Sequence, residues 1–115
     1  MNASPQPSLF DLQVNGFAGV DFQRADLTVD EMRRAVQSLR AHQTHRIFLT
    51  LITDAVDSLC RKFAAVEASR RADPLIAETI CGYHLEGPWL SPEPGFCGAH
   101  PPDHMCAPSL ADYRR

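Results

Sequence analysis

The sequence predicts an α/β fold: three parallel strands with two covering helices. Two observations carry this. Short apolar runs near residues 9, 46 and 80 have the length and composition of strands. Between them lie two stretches whose apolar residues recur at helical spacing. The order β-α-β-α-β is the repeating unit of a parallel barrel or an open parallel sheet.

Residues 1–8 hold two prolines and little apolar content, and are expected to be a loose lead-in to a single domain over residues 9–115. Residues 9–14 form the first predicted strand, where alternation puts Asp11, Gln13 and Asn15 on one face and Leu12 and Val14 on the other. Gly16 and Gly19 permit a turn after it. Thr28 followed three residues later by Glu31 fits a capping box. It opens a helix over 28–41 whose buried stripe is Met32, Ala35, Val36 and Leu39, with Arg33, Arg34, Gln37 and Arg40 facing water. Residues 46–53 are a nearly continuous apolar run, suited to a parallel strand buried on both faces. A second helix over 55–71 buries Leu59, Phe63 and Val66 with Cys60 beside them, and Asp73-Pro74 stops it. The third strand is 80–84. A proline-rich loop over 91–102 follows, and a last helical turn begins near Ser109.

Composition narrows the classes of function. The chain has 115 residues, 44% of them hydrophobic, which suits one small globular domain. A formal net charge of -3 leaves no basic footprint for nucleic acid. No apolar run approaches the roughly 20 residues that span a bilayer. The N-terminus lacks the basic start and apolar core of a signal peptide, so the expected address is the cytoplasm. There the four cysteines, Cys60, Cys81, Cys97 and Cys106, are expected as reduced thiols rather than a disulfide framework.

The chemistry concentrates at the end of the third strand. Ile80 to Tyr83 runs into His84-Leu85-Glu86-Gly87-Pro88, so a carboxylate is carried to a strand tip and into a loop. His84 and Glu86 share a face. A Glu at the end of a buried strand needs a cation or a donor, or else costs several kcal/mol. That reading leaves open a salt-bridged Glu beside a hydrogen-bonded core His.

His84-Leu85-Glu86-Gly87-Pro88-Trp89-Leu90, then Gly98-Ala99-His100, and earlier Asp11-Leu12-Gln13-Val14-Asn15-Gly16, resemble the signature of N-acetylglucosamine-6-phosphate deacetylases, metal-dependent TIM barrels of the amidohydrolase superfamily. The resemblance implies a partial TIM barrel and hydrolysis of the acetamide of an amino-sugar phosphate with a metal-activated water. It makes Glu86 the metal ligand this chain contributes, to a divalent metal expected to be one zinc. It makes His100, with Ala99 beside it, the substrate contact, and Gln13, Asn15 and His84 candidates to line the site. Gln13 and Asn15 stand where the superfamily commonly has two metal-binding histidines. Amides are poorer ligands for zinc, which argues against a second metal at the first strand.

A complete barrel takes eight strands and typically about 250 residues. Three strands are therefore expected to be the N-terminal piece of such an enzyme, inactive alone. Its remaining metal-binding histidines and proton-transferring aspartate belong to later strands. Expected partners are the amino-sugar phosphate and either a second copy or a complementing barrel piece, with no nucleic acid and no membrane. An alternative from another class is a small zinc-stabilised module. Cys97, His100, His104 and Cys106 put two thiolates and two imidazoles in one short loop, the ligand types of structural zinc.

Overall fold

Three strands lie side by side in the order β1-β4-β5: β1 is Leu9–Val14, β4 is Thr44–Ile52 and β5 is Ile80–Glu86. Both pairings are parallel, as the alternation of apolar runs and helical stripes predicts. The computed structural model describes residues 4–115. Of the expected lead-in, residues 4–8 are exposed and without regular structure, and residues 1–3 lie outside the described residues. Between β1 and β4 run a two-stranded hairpin, β2 (Gly16–Phe17) and β3 (Val20–Asp21), and helix α1 (Val29–Ala41). Between β4 and β5 run α2 (Val56–Ala72) and α3 (Pro74–Thr79). A 3-10 turn, Pro102–His104, and the short α4, Leu110–Tyr113, complete the chain. No described helix is long and apolar enough to cross a membrane.

The first helix forms as its sequence dictates. Thr28 Oγ1 accepts the Glu31 N–H at 3.1 Å, and the Glu31 carboxylate accepts the Thr28 N–H at 2.9 Å. Such caps are worth about 1 kcal/mol. The carboxyl is held at about 2 by the Thr28 backbone bond and by Arg24. Met32, Ala35, Val36 and Leu39 are buried. They meet β4, where Ile47, Leu49 and Leu51 are fully enclosed. Helix α2 docks through Phe63, whose ring meets Tyr83 of β5 edge-on with centroids 4.9 Å apart. Burial and the neighbouring Glu67, to which its hydroxyl donates, push the Tyr83 phenol up.

Alternation then assigns the opposite face. Tyr83 points to the helices, so Gly82, His84 and Glu86 point away from them. At the strands' N-terminal end this face is aromatic: Phe10 and Phe48 meet edge-on at 5.1 Å, and Arg46 lies 5.3 Å over the Phe10 ring. Gly82 is required there, because a Cβ would meet the Phe48 ring at 2.7 Å. Towards the C-terminal end the face turns polar, with Thr50 beside His84 and Ile52 beside Glu86.

Four features depart from the sequence reading. Leu12, assigned by alternation to the same face as Val14, is exposed while Val14 is buried, and the β1–β4 register shifts between Asp11 and Val14. Its local cause is the Asp11 carboxylate, which accepts the Gln13 backbone N–H at 3.0 Å and breaks strict alternation. The Gly16–Asp21 turn is a hairpin, which buries Val20 and Phe22 against the core. Asp73-Pro74 ends α2 but also starts α3: Asp73 caps it by accepting the Leu75 N–H at 2.9 Å, and proline occupies its first turn. β5 runs on to Glu86, two residues past the predicted end.

Candidate active site

Parallel pairing brings the C-terminal ends of β1, β4 and β5 to one edge of the sheet. Gln13, Thr53 and Glu86 all stand there, from three different elements. Glu86 ends β5, and its carboxylate is held from two sides. Gln13 Nε2 donates to Oε2 at 3.0 Å, and His100 Nε2 lies 3.4 Å from Oε1. Neither partner carries a fixed charge, and no Lys or Arg lies within 4 Å of this carboxylate among the described residues. The Glu86 side chain is 36% exposed and that of His100 is 14% exposed. The result is a half-open carboxylate whose holders, an amide and an imidazole, carry no fixed charge.

The loop after β5 returns His100 to this place. The Cys106 N–H donates to the Pro88 carbonyl at 3.1 Å, closing the loop on itself, and the His100 N–H donates to the Cys97 carbonyl at 3.1 Å. His100 Nδ1 is 2.8 Å from Thr53 Oγ1. Gly87 permits the crossing: its φ is +93°, and a Cβ there would meet Thr53 Oγ1 at 2.0 Å.

The structure therefore brings together three of the residues singled out from the sequence: Gln13, Glu86 and His100. His84 stands next to them on the same strand face, with Nδ1 3.3 Å from Thr50 Oγ1. Asn15 takes part through its backbone, its carbonyl accepting the Phe22 N–H at 3.0 Å to close the hairpin. Ala99 is exposed.

Two residues that sequence reasoning passed over matter here. Thr53 was seen only as the end of an apolar strand. Gln23 donates to the Thr50 carbonyl at 2.8 Å and accepts the Ile52 N–H at 2.9 Å. It thus supplies to β4 the pairing that β1 no longer gives beyond Val14. Neither has a motif; only the three-dimensional course of the chain reveals them. Just after Thr53, burial pushes the Asp54 carboxyl up, but Lys62, Ser58 and the Ala55 N–H outweigh it and hold the group at about 2.

The alternative zinc module is not supported. Among the described residues, no group of three or more His, Cys, Asp or Glu side chains is placed to hold a metal. His100 turns to Thr53 and Glu86, while His104, on the Pro102–His104 turn, and Cys106 are exposed. A cleft of about 520 Å³ lies on the other side of β5 and is lined mainly by apolar groups, among them Leu59, Phe63, Tyr83, Leu85, Trp89 and Tyr113. It holds none of the polar cluster.

No protein-family model matches the chain. It is 35% identical over 95 residues to an N-acetylgalactosamine-6-phosphate deacetylase of Shewanella sp. (strain ANA-3), covering 83% of this chain and 23% of that protein. It is 30% identical over 100 residues to an N-acetylglucosamine-6-phosphate deacetylase of Bos taurus, covering 86% and 24%. Among solved structures, a mutant N-acetyl-D-glucosamine-6-phosphate deacetylase from Mycobacterium smegmatis, in complex with N-acetyl-D-glucosamine-6-phosphate, matches with a TM-score of 0.78 and 37% identity over 95% of this chain and 26% of that one.

The relatives are amino-sugar-phosphate deacetylases. The chain corresponds to their N-terminal part and spans about a quarter of their length. Its three parallel strands and covering helices match part of the TIM-barrel domain of these deacetylases. The polar edge lies at the C-terminal ends of the parallel strands, the end where barrel enzymes collect their active sites.

Proposed function

We propose that this chain carries one wall of a deacetylase site for an N-acetylated amino-sugar phosphate, with Glu86 as a metal ligand and His100, beside Ala99, as a substrate contact. The observation that carries the reading is Glu86 itself: a carboxylate at a strand's C-terminal tip, held by Gln13 at 3.0 Å and facing His100 at 3.4 Å, without a fixed cation among the described residues. Such a carboxylate is a suitable oxygen donor for a divalent metal, zinc being the expected one. A bound metal would supply Lewis-acid polarisation of the amide carbonyl and a lowered pKa for water.

The chain's own residues then divide the remaining work. Gln13 spends one amide hydrogen on Oε2 and so fixes the rotation of the carboxylate. His100 presents Nε2 on the open side, within reach of a carbonyl oxygen placed beside Glu86. His84 and Asn15 border the same edge. Glu86 is one protein ligand, whereas a catalytic zinc usually has three. The proton-transferring group expected from the resemblance is not among the residues gathered here. The chain alone is therefore proposed to be inactive, and a complementing barrel piece is the partner that would complete the site. The setting that suits such a small-molecule role is the cytoplasm.

The test is acetate release from N-acetylglucosamine 6-phosphate by purified chain with added zinc. No turnover above background is expected. Turnover by the unaided chain that survives Glu86→Gln would overturn both the incompleteness and the role given to this carboxylate.

A further inference from the structure

We infer that Thr53 is a positioning residue that anchors the His100 ring through Nδ1, with the other ring nitrogen turned to Glu86. Thr53 follows β4 directly and is 3% exposed. Its Oγ1 stands 2.8 Å from His100 Nδ1, the one side-chain hydrogen bond Thr53 makes among the described residues. The other ring nitrogen, Nε2, faces Glu86 Oε1 at 3.4 Å. The Glu86 contact decides where the ring proton of the neutral imidazole goes, because the Thr53 hydroxyl can donate or accept. A lone pair on Nε2 would point at an anionic oxygen and be repelled, whereas an N–H there is attracted. The proton belongs on Nε2, so Nδ1 is the acceptor and the Thr53 hydroxyl is the donor.

The hydroxyl is enclosed as well as bonded. Threonine is β-branched, which restricts its side-chain rotation. The Gly87 turn lies against it so closely that a Cβ at residue 87 would come within 2.0 Å of Oγ1. The strand end, the left-handed glycine and the returning loop together aim one O–H at one ring nitrogen. Under the deacetylase reading, on which this role rests, the consequence is a neutral Nε2–H donor beside Glu86 at the open edge. A ring held in the other tautomer would offer a lone pair there and could not donate to an amide carbonyl oxygen.

The experiment is long-range ¹H–¹⁵N spectroscopy of the full chain labelled at histidine nitrogens. It is run near pH 8.5. His100 is assigned from the spectrum of His100→Gln, and solid-state detection serves if the chain self-associates. Wild type is expected to show protonated Nε2 and a hydrogen-bonded, unprotonated Nδ1. Thr53→Ser is expected to keep this pattern. Thr53→Val is expected to shift Nδ1 to the unbonded position or to mix the two tautomers. Protonated Nδ1 in wild type, or a valine variant indistinguishable from wild type, would overturn the inference. If the valine variant unfolds, Thr53→Ala is read in its place, with the same two outcomes. The readout needs neither substrate nor metal, so failure of the deacetylase reading would leave it intact.

Discussion

Gln13 on β1 and Glu86 at the tip of β5 are joined by a 3.0 Å hydrogen bond although β4 lies between their strands. Two strand spacings amount to about 9.5 Å, which these two side chains bridge across the sheet face. The bond ties the first strand to the carboxylate at the end of the third. It predicts that Gln13→Glu, which places two carboxylates against each other, destabilises the chain near neutral pH, because one of the pair must protonate or move. Melting should fall by several degrees at pH 7 and recover on adding millimolar zinc or on lowering the pH to about 5. A variant that melts like wild type under all three conditions would mean that the two side chains do not meet.

Asp54 supports the same edge from below. Its carboxyl is held at about 2, under the ordinary aspartate value of about 3.9. A depressed folded-state value stabilises the fold above the unfolded-state value and loses that contribution as pH falls through the folded one. Asp54→Asn should cost about 1.5–3 kcal/mol at pH 7, the range for hydrogen bonds to charged groups. The difference between variant and wild type should shrink between about pH 4 and pH 2. Denaturant titrations at pH 7, 4 and 2.5 measure it, and a difference independent of pH would remove the Asp54–Lys62 pair from the account.

Among the described residues the sheet has two unpaired edges, β1 and β5. Leu9, Phe10 and Leu12 on β1 are exposed, as are Phe96, Leu110 and Tyr113 elsewhere. An unpaired strand with exposed apolar side chains is a template for association. Sedimentation is expected to show concentration-dependent self-association of the isolated chain, reduced by Leu12→Lys. A wild-type monomer with a sharp, cooperative thermal transition would contradict this.

Several elements were legible in the sequence because their cues are local. Thr28 and Glu31 mark the start of α1, and the spacing of Met32, Val36 and Leu39 marks its buried face. The tip of β5 was legible because a charged residue there needs a partner. What escaped lies where local rules compete. Asp73-Pro74 is both a stop and a start, since proline suits the first turn of a helix as well as the end of one. The β1 alternation failed at Leu12 because an aspartate captured a backbone N–H two residues ahead. Within the site, Gln13, Glu86 and His100 were visible as residue types, but Thr53 and Gln23 were not. Thr53 and Gln23 act through contacts that span 47 and 29 residues, and no spacing rule reaches that far.

Complementation is the most direct test of Glu86 as the metal ligand that this chain brings to a deacetylase site. The chain would be mixed with a separately produced piece of a related deacetylase that begins after the segment this chain matches, with zinc present, and acetate release from N-acetylglucosamine 6-phosphate would be followed. The mixture should turn over when neither piece does alone, and Glu86→Gln in this chain should reduce the rate at least a hundredfold. Activity of the mixture that is indifferent to Glu86→Gln would contradict the account.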